Sequence, residues 1–265
     1  MLNIAIHSYR LMPDHGNAHS PNAHQLQGWH IVLRDNPEQL SGVGDALVWP
    51  QFGLTNDQVR DDLTHFEQQC LDLEVDEILG WMDSTEIASA VHYGVELACL
   101  DLMAKRSEQT LAKQLWSEVR TEVRCHKLLG SVREAATQKS EIEKAIKLKV
   151  GVHELEEELD FVDALTSAQP MLAVRLDANG AWNLDEALRV CDRLSSKPNV
   201  VIEQPLDPRN LLGLDRLQQQ TEIPIALDES LVFNPTGALD TSCRECVIKP
   251  MYLGGLRASQ RLVER

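Results

Sequence analysis

Short apolar runs separated by helical patterns fill the second half of the chain. The runs are Thr121–Leu129, Ala145–Val150, Met171–Asp177, Val200–Glu203, Ile223–Asp228 and Cys243–Lys249. Runs that are apolar almost throughout are typical of parallel strands that are buried on both faces. Charged residues lie at or near the ends of the last five runs, at positions 149, 177, 203, 228 and 249, so the intervals are 28, 26, 25 and 21 residues. These intervals suit one strand plus one crossover helix, and we predict six parallel strands in succession.

The first 115 residues show a different pattern, which predicts an α+β region that is mostly helical. Leu2, Ile4 and Ile6 alternate as in a strand, and two strands joined by a polar loop are expected in residues 1–34. A loop punctuated by glycine and proline is expected over Ser41–Gly53. Apolar spacings of three and four predict helices from Thr55 onward and over residues 85–106 and 109–118.

The succession of βα units favours one fold over another. A (β/α) barrel of the TIM type assembles its active site from the carboxyl ends of its strands on one face. A doubly wound open sheet also places ligands at strand ends. No glycine-rich phosphate turn follows any of the six runs, and five charged strand ends in unbroken succession suit a closed ring better. We therefore predict an α/β protein with a TIM-type barrel, and the open sheet is the alternative.

Composition and charge exclude several classes of function. The chain has 265 residues, with 25 Lys and Arg against 41 Asp and Glu, which gives a formal net charge of −16. Binding to nucleic acid or to an anionic membrane surface needs clustered basic side chains, so we expect neither. Apolar runs fall short of the roughly 18 residues that a membrane-spanning helix requires. Six cysteines in a chain of this length do not indicate a disulfide framework, and we expect a cytoplasmic protein with reduced thiols.

Three strand ends carry carboxylates, at Asp177, Glu203 and Asp228. In a barrel these side chains would converge, and three oxygen ligands with room for water describe a Mg2+ site. Three buried carboxylates without a cation would repel one another strongly. Any one of them alone is better interpreted as a solvated acid or a helix N-cap. The three together, at a near-equal interval, predict a metal site.

Three lysines accompany the acids. Lys147 and Lys149 lie two apart on one predicted strand and therefore share a face, and Lys249 ends the sixth run. Adjacent ammonium groups lower one another's pKa, which would prepare one of the pair as a base. A solvated edge is the usual interpretation of such a pair. Ile146, Leu148 and Val150 argue against it here, because they indicate an interior strand.

A run of acids, Glu154–Asp160, is interpreted as the solvated face of a helix. Leu155, Leu159 and Val162 have the spacing of its buried face. We assign these acids no functional role.

At the residues that carry this chemistry the chain resembles the enolase superfamily. The stretches that resemble its metal-binding and catalytic strand ends are Arg175–Trp182, Val201–Pro205, Ile225–Ser230 and Val247–Pro250. Lysines on both the second and sixth strands resemble the muconate-cycloisomerase subgroup, and within it the o-succinylbenzoate synthase family. Gly42–Asp45 and Trp49–Gly53 resemble capping loops that close over substrate, and Glu96–Asp101 resembles a capping-domain helix. The resemblance implies a capping domain over residues 1–118 and a barrel over residues 119–265.

The resemblance also implies roles for individual residues. Asp177, Glu203 and Asp228 become the Mg2+ ligands, and Lys149 becomes the base that removes the proton α to the substrate carboxylate, with Lys147 tuning it. The superfamily uses a Lys or His base with Mg2+ and an ene-diolate intermediate. Lys249 becomes a stabiliser of the substrate ring in a synthase, or a second acid/base in a racemase. The implied substrate is a small-molecule carboxylate, and the oligomeric state is left open.

The implied barrel is short. A barrel of this type has typically about 250 residues, whereas about 150 follow the capping region. Six strands are counted, and a last helix is expected over Leu256–Arg265. We therefore expect the barrel to stop after its sixth strand, in a fragment of a longer protein or in a chain that a partner completes.

Three activities remain open at this stage. The first is a dehydratase that forms o-succinylbenzoate in menaquinone biosynthesis. The second is a racemase of N-acyl amino acids or an epimerase of dipeptides, which would use the same lysines as two opposed bases. The third is an inactive truncated fragment, against which the intact set of lysines and acids argues.

Overall fold

A computed structural model describes residues 2–12, 25–35, 39–137 and 144–264 of the chain. The chain divides into two compact units. The first unit comprises Met1–Thr121 together with Lys249–Arg265, and the second unit comprises Glu122–Ile248. The last segment of the chain therefore packs with the N-terminal residues, while the domains predicted from the sequence, 1–118 and 119–265, stay a prediction.

The first unit contains an antiparallel sheet of three strands in the order β1-β2-β3. The strands are β1 (Leu2–Leu11), β2 (Leu26–Asp35) and β3 (Leu40–Leu47). Alternate residues of the first two strands are buried, and Ile4 lies directly opposite Leu33 in the ladder. This is the period-two burial of a sheet with one face on the core. The two strands expected in residues 1–34 are confirmed, and the polar loop expected between them lies outside the described residues.

Four helices of the first unit follow the sheet. They are α1 (Asn56–Cys70), α2 (Val75–Ser84), α3 (Ser89–Arg106) and α4 (Leu111–Leu115). The expected start at Thr55 is confirmed, because its hydroxyl accepts a hydrogen bond from the backbone N–H of Gln58 at 3.2 Å. Helices α3 and α4 fall inside the ranges predicted for them; α3 begins later and ends as predicted, and α4 is shorter at both ends. Helix α2 had no separate prediction.

The expectation of a loop over Ser41–Gly53 is wrong for most of that segment. Strand β3 covers its first half, and only Pro50–Phe52 forms a short 3-10 turn. A Cβ atom on Gly44 would lie 1.7 Å from the carbonyl oxygen of Gly94 in helix α3, and one on Gly42 would lie 1.9 Å from that of Ala98. These glycines therefore allow a strand to pack against a helix at backbone distance, and they do not mark a turn.

The second unit contains a sheet of six parallel strands, each beside the next in sequence. They are β4 (Lys127–Ser131), β5 (Ala145–Lys149), β6 (Ala173–Asp177), β7 (Val200–Glu203), β8 (Ile225–Leu227) and β9 (Glu245–Cys246). Each strand lies within or overlaps one of the six predicted runs. The α/β class and the six parallel strands in sequential order are confirmed.

Helices connect the strands of the second unit. They are α5 (Val132–Thr137), α6 (Leu155–Ala168), α7 (Leu184–Arg193), α8 (Leu211–Gln219), α9 (Glu229–Phe233) and α10 (Pro235–Leu239). Polar caps fix where two of them begin. The side chain of Asn183 accepts from the backbone N–H of Glu186, whose carboxylate accepts in return from the backbone N–H of Asn183, and Asn210 accepts from Gly213.

The strands at the two ends of the sheet differ most from their predicted runs. The first run was expected to begin at Thr121, but β4 begins at Lys127. The sixth run was expected to end at Lys249, but β9 ends at Cys246. Lys249 therefore lies three residues beyond the strand and belongs to the first unit.

The last helix of the first unit is α11 (Leu256–Val263), which confirms the helix expected near the end of the chain. None of the helices in the described residues combines the length and the apolar composition of a membrane-spanning segment.

Candidate active site

The carboxyl ends of three neighbouring strands bring predicted site residues into register. In the ladder Lys149 of β5 lies opposite Asp177 of β6, and Asp177 lies opposite Glu203 of β7. Glu203 lies opposite Ala226 of β8, so Asp228 follows two residues beyond that partner. Parallel strands in this order place their ends along one edge of the sheet. Four predicted residues therefore occupy successive strand ends of the second unit.

Strand β5 also separates its two faces as predicted. Ile146 and Leu148 are fully buried on one face, and Lys147 and Lys149 are half-buried on the other. In the ladder Lys147 lies opposite Arg175 of β6, one layer before the level of Asp177. The face that carries the lysines is thus charged over two successive layers.

The three acids are buried to a degree that carboxylates seldom reach without compensation. The exposed fraction is 6% for Asp177, 1% for Glu203 and 2% for Asp228. Taking a carboxylate out of water costs several kcal/mol by rough reckoning unless cations or hydrogen bonds offset it. The groups that neutralise these acids therefore decide what the site can do.

One ammonium group bridges two of the acids. Lys147 Nζ lies 2.9 Å from Asp177 Oδ2 and 2.7 Å from Glu203 Oε1. Burial by itself would lower the pKa of Lys147, but its hydrogen bonds and the charges of Glu203 and Asp177 outweigh burial and raise that pKa above its usual value. The expectation that the lysine pair lowers the pKa is therefore wrong for Lys147, because the two carboxylates that face it exert the stronger field.

A second cation, Arg175, contacts Glu203 from a position on β6 two residues before Asp177. The guanidinium of Arg175 lies 3.4 Å from Glu203 Oε2 and donates to Glu245 Oε2 of β9 at 2.6 Å. Arg175 was recognised only as part of a motif, and Glu245 was not recognised at all. The only signal in the sequence is that each is a charged residue in a predicted strand, because the order of the strands that brings β6 and β9 together is not visible there.

Asp228 occupies the turn between β8 and α9, where it is the N-cap residue. Its backbone N–H donates to the side-chain oxygen of Gln204 at 2.9 Å. Gln204 is fully buried and immediately follows Glu203. Gln204 lies within the motif Val201–Pro205, which by itself predicts no separate role for it.

The acidic run at the start of α6 is not a uniformly solvated face, so that interpretation is wrong for Glu158. Its carboxylate is 2% exposed and accepts the backbone N–H groups of Gly151, Val152 and His153 at 2.7, 3.0 and 2.9 Å. The segment held in this way begins two residues after Lys149. Glycine at position 151, with φ of +72°, allows the turn to present three N–H groups to one acid.

Lys249, the remaining predicted residue, lies in the first unit. Its Nζ is 5.2 Å from the centroid of the Phe52 ring, a cation–π distance, and the same ring stacks on Tyr252 at 4.2 Å between centroids. Phe52 belongs to the 3-10 turn Pro50–Phe52, which lies in one of the two segments that resemble capping loops.

The fit of a divalent cation depends on the donors that are present. Within the described residues, no group of three or more His, Cys, Asp or Glu side chains has an arrangement that could hold a metal ion as it stands. The donor chemistry nevertheless suits Mg2+, since Asp177, Glu203 and Asp228 offer carboxylate oxygens at adjacent strand ends. Asp177 and Glu203 already share one cation, the ammonium of Lys147.

Comparison with known proteins adds a family. Residues 131–264 match the family model described as "Enolase C-terminal domain-like". The chain is 26% identical over 258 residues to the o-succinylbenzoate synthase of Listeria innocua serovar 6a, an alignment that covers 89% of this chain and 66% of that protein. It is 28% identical over 253 residues to the hydrophobic dipeptide epimerase of Enterococcus faecalis, covering 88% and 69% respectively.

A solved structure agrees with the fold. The muconate cycloisomerase of Pseudomonas fluorescens superimposes with a TM-score of 0.78 at 23% identity, covering 99% of this chain and 76% of that one. The chain thus spans about two thirds of the length of the synthase from Listeria and about three quarters of the solved cycloisomerase.

Proposed function

The chain belongs to the enolase superfamily, and from this premise we propose that it is a Mg2+-dependent carbon–oxygen lyase. The proposed reaction is dehydration of a hydroxycyclohexadiene carboxylate to o-succinylbenzoate, a step of menaquinone biosynthesis. The proposal extends to the fold: the six parallel strands would be those of a TIM-type (β/α) barrel, whose catalytic groups lie at strand ends.

One observation supports this proposal above the others. Glu203 is a buried acid whose ion pairs come from the side chains of Lys147 and Arg175. Buried Asp177 shares the ammonium of Lys147 and also accepts the backbone N–H of Asn179 at 3.3 Å. Cations on flexible side chains can move when another cation arrives. Such acids offer the ligands that a Mg2+ ion needs, and Lys149 lies beside Asp177 in the same register.

The chemistry asks for both a cation and a base. A proton α to a carboxylate is weakly acidic, and Mg2+ held by Asp177, Glu203 and Asp228 would supply the positive charge that favours its removal. Lys149 Nζ would take up that proton as the neutral amine. The resulting ammonium would return a proton to the departing hydroxide, which leaves as water while the ring becomes aromatic. The role of Lys147 is to orient the two acids and to add positive charge near the substrate carboxylate.

Lys249 keeps its proposed role as a cation that stabilises the ring of the substrate. In support, its ammonium already lies against an aromatic ring, that of Phe52. An ammonium that faces a ring is attracted by the quadrupole of the ring, and a substrate that becomes aromatic offers the same partner.

A second candidate is an epimerase of dipeptides. The Enterococcus relative is a hydrophobic dipeptide epimerase, and its alignment covers a similar share of this chain to that of the synthase. In an epimerase Lys149 and Lys249 would each exchange the α proton on one side of the substrate. The two activities differ in whether a hydroxyl group leaves.

The decisive experiment measures formation of o-succinylbenzoate by the purified chain with Mg2+ and again with a chelator. We expect turnover that requires Mg2+ and falls by a factor of about 10² to 10⁴ in Lys149→Ala, the usual contribution of a general base. The exposed Lys113→Ala variant is the matched control and should keep full activity.

The contrary outcome is equally defined. If the folded chain gives no o-succinylbenzoate but exchanges the α proton of a dipeptide with solvent deuterium, the lyase is wrong and the epimerase takes its place. If turnover persists in chelator, the role of the three acids is wrong.

A further inference from the structure

Gln204 makes more buried side-chain hydrogen bonds than its neighbours at the strand ends. Its side chain is fully buried in the second unit. The amide nitrogen donates to the carbonyl oxygen of Leu206 at 3.1 Å and to Ser230 Oγ at 2.7 Å. The amide oxygen accepts the backbone N–H groups of Asp228 at 2.9 Å and Ser230 at 3.1 Å. Both donors and the acceptor of one amide are thus used.

The backbone of Gln204 is as constrained as its side chain. Its φ is +40°, in the left-handed region that residues other than glycine seldom occupy. Its N–H donates to Ala226 of β8 at 2.8 Å, and its carbonyl oxygen accepts from Gly180, after β6, at 2.7 Å. Surroundings that hold a residue in such a conformation fix its position from several sides. Gln204 therefore connects the ends of β6, β7 and β8.

We propose that Gln204 is the positioning residue of Asp228, and that its amide holds the β8–α9 turn in the conformation that presents this carboxylate. The inference rests on the proposed function, in which Asp228 is a Mg2+ ligand. Without the amide, two buried N–H groups of the turn would need other partners, which a new backbone conformation would have to supply. The carboxylate of Asp228 would then move with the turn.

The experiment compares two buried glutamines of the same unit. Gln218 is also buried, and its amide makes three hydrogen bonds, to Thr221, Ile223 and Ile225, before β8 and at its start. Gln204→Met and Gln218→Met each remove one buried side-chain amide. The amide of Gln204 binds the turn that follows β8, and the amide of Gln218 binds the residues at the start of β8. Both variants should lose stability, so stability alone does not separate positioning from packing.

Binding of Mn2+, a paramagnetic substitute for Mg2+, is the first readout. Residues that orient metal ligands typically change metal affinity by about 10- to 100-fold when they are replaced. We expect Gln204→Met to weaken Mn2+ binding at least tenfold and Gln218→Met to leave it within twofold. Equal weakening in both variants would overturn the inference.

Amide hydrogen exchange is the second readout and does not depend on metal. Exchange at Asp228 and Ser230 should accelerate at least tenfold in Gln204→Met and stay unchanged in Gln218→Met. If the chain binds no Mn2+ at all, the proposed Mg2+ site is wrong, while exchange still decides whether Gln204 holds the turn. Unchanged exchange in Gln204→Met would refute the positioning role even if the metal site is real.

A milder variant covers the case in which Gln204→Met does not fold. Ser230→Ala removes one acceptor of the Gln204 amide and leaves its contact with Leu206. We expect smaller changes in the same direction for both Mn2+ affinity and exchange at Asp228. The absence of both changes would count against the inference.

Discussion

Glu96 in the first unit and Glu203 in the second are both buried acids, with exposed fractions of 0% and 1%. Glu96 accepts the backbone N–H groups of Leu256 and Arg257 at the start of α11, and its other oxygen accepts from Arg257 Nε at 2.6 Å. Glu203 receives its side-chain contacts from Lys147 and Arg175. Glu96 and Glu203 are therefore equally buried, but different kinds of groups neutralise their charges.

The difference lies in what the donors can do. Backbone N–H groups at the start of a helix cannot leave without unfolding the turn that carries them, so Glu96 serves to hold α11. The ammonium of Lys147 sits on a flexible stem and can withdraw. An acid held by movable cations can exchange them, whereas one held by the backbone cannot.

Glu158 shows that this distinction does not follow the division into units. It lies in the second unit with Glu203, yet three backbone N–H groups satisfy it. Glu96 is likewise held by backbone N–H groups, two in number, together with Arg257. Burial of an acid is thus a poor guide to function by itself. The identity of its donors is the better guide.

Lys147→Met removes a side-chain cation that contacts Glu203, and of the variants compared it should have the largest effect on stability. Removing one partner from a buried ion pair typically costs about 3 to 5 kcal/mol, because the remaining charge stays uncompensated. We expect the free energy of unfolding in chelator to fall by about 3 kcal/mol, measured by urea denaturation. Mg2+ should restore much of that loss.

The restoration by Mg2+ is the sharper part of this prediction. A ligand at about 100 times its Kd stabilises a protein by about 2.7 kcal/mol. Ammonium and metal compete for two carboxylates in the unmodified chain, so Mg2+ should stabilise Lys147→Met more than the unmodified chain. Equal stabilisation of the two would break the comparison, and Lys113→Met controls for loss of an exposed lysine.

Glu96→Gln alters the acid that backbone N–H groups hold, and it should have a smaller effect on stability. The amide keeps one acceptor oxygen, but it loses the charge that strengthens hydrogen bonds to N–H groups and to Arg257. Charged hydrogen bonds contribute about 1.5 to 3 kcal/mol, so we expect a loss of about 2 kcal/mol in the free energy of unfolding. Mg2+ should not restore it, and the exposed Glu86→Gln should be neutral. If Mg2+ restored the free energy of unfolding of Glu96→Gln, Glu96 would do more than hold helix α11.

The strand ends were predictable because chemistry and periodicity coincide there. Asp177, Glu203 and Asp228 follow apolar runs at near-equal intervals, and parallel strands bring such ends to one edge. The register of Lys149, Asp177 and Glu203 agrees with that expectation. Local pattern and global topology carried the same information in this region.

Contacts made by the backbone were not predictable in the same way. Glu158 looks like its acidic neighbours in sequence and differs only because a glycine turn presents N–H groups to it. Gly42 and Gly44 look like loop residues until a helix backbone is placed against them. The raised pKa of Lys147 depends on Asp177 and Glu203, two acids that are distant from it in the sequence. In the sequence, only the neighbouring Lys149 is visible as a charge near Lys147.

His92 offers the smallest test, one turn before Glu96 in helix α3. Burial lowers the pKa of His92 more than the charge of Glu96 raises it, so the imidazole stays neutral in the folded chain below its usual pKa of about 6.5. The unfolded chain then binds a proton that the folded chain does not, and stability must fall as the pH drops below that value. His92 is only half-buried, so solvent screens the effect to less than about 1 kcal/mol. His92→Gln should flatten the decline in unfolding free energy between pH 7 and 5, measured by urea denaturation, while the exposed His65→Gln should not. An unchanged decline in His92→Gln would show that the contacts of Glu96 with α11 do not respond to the charge of His92.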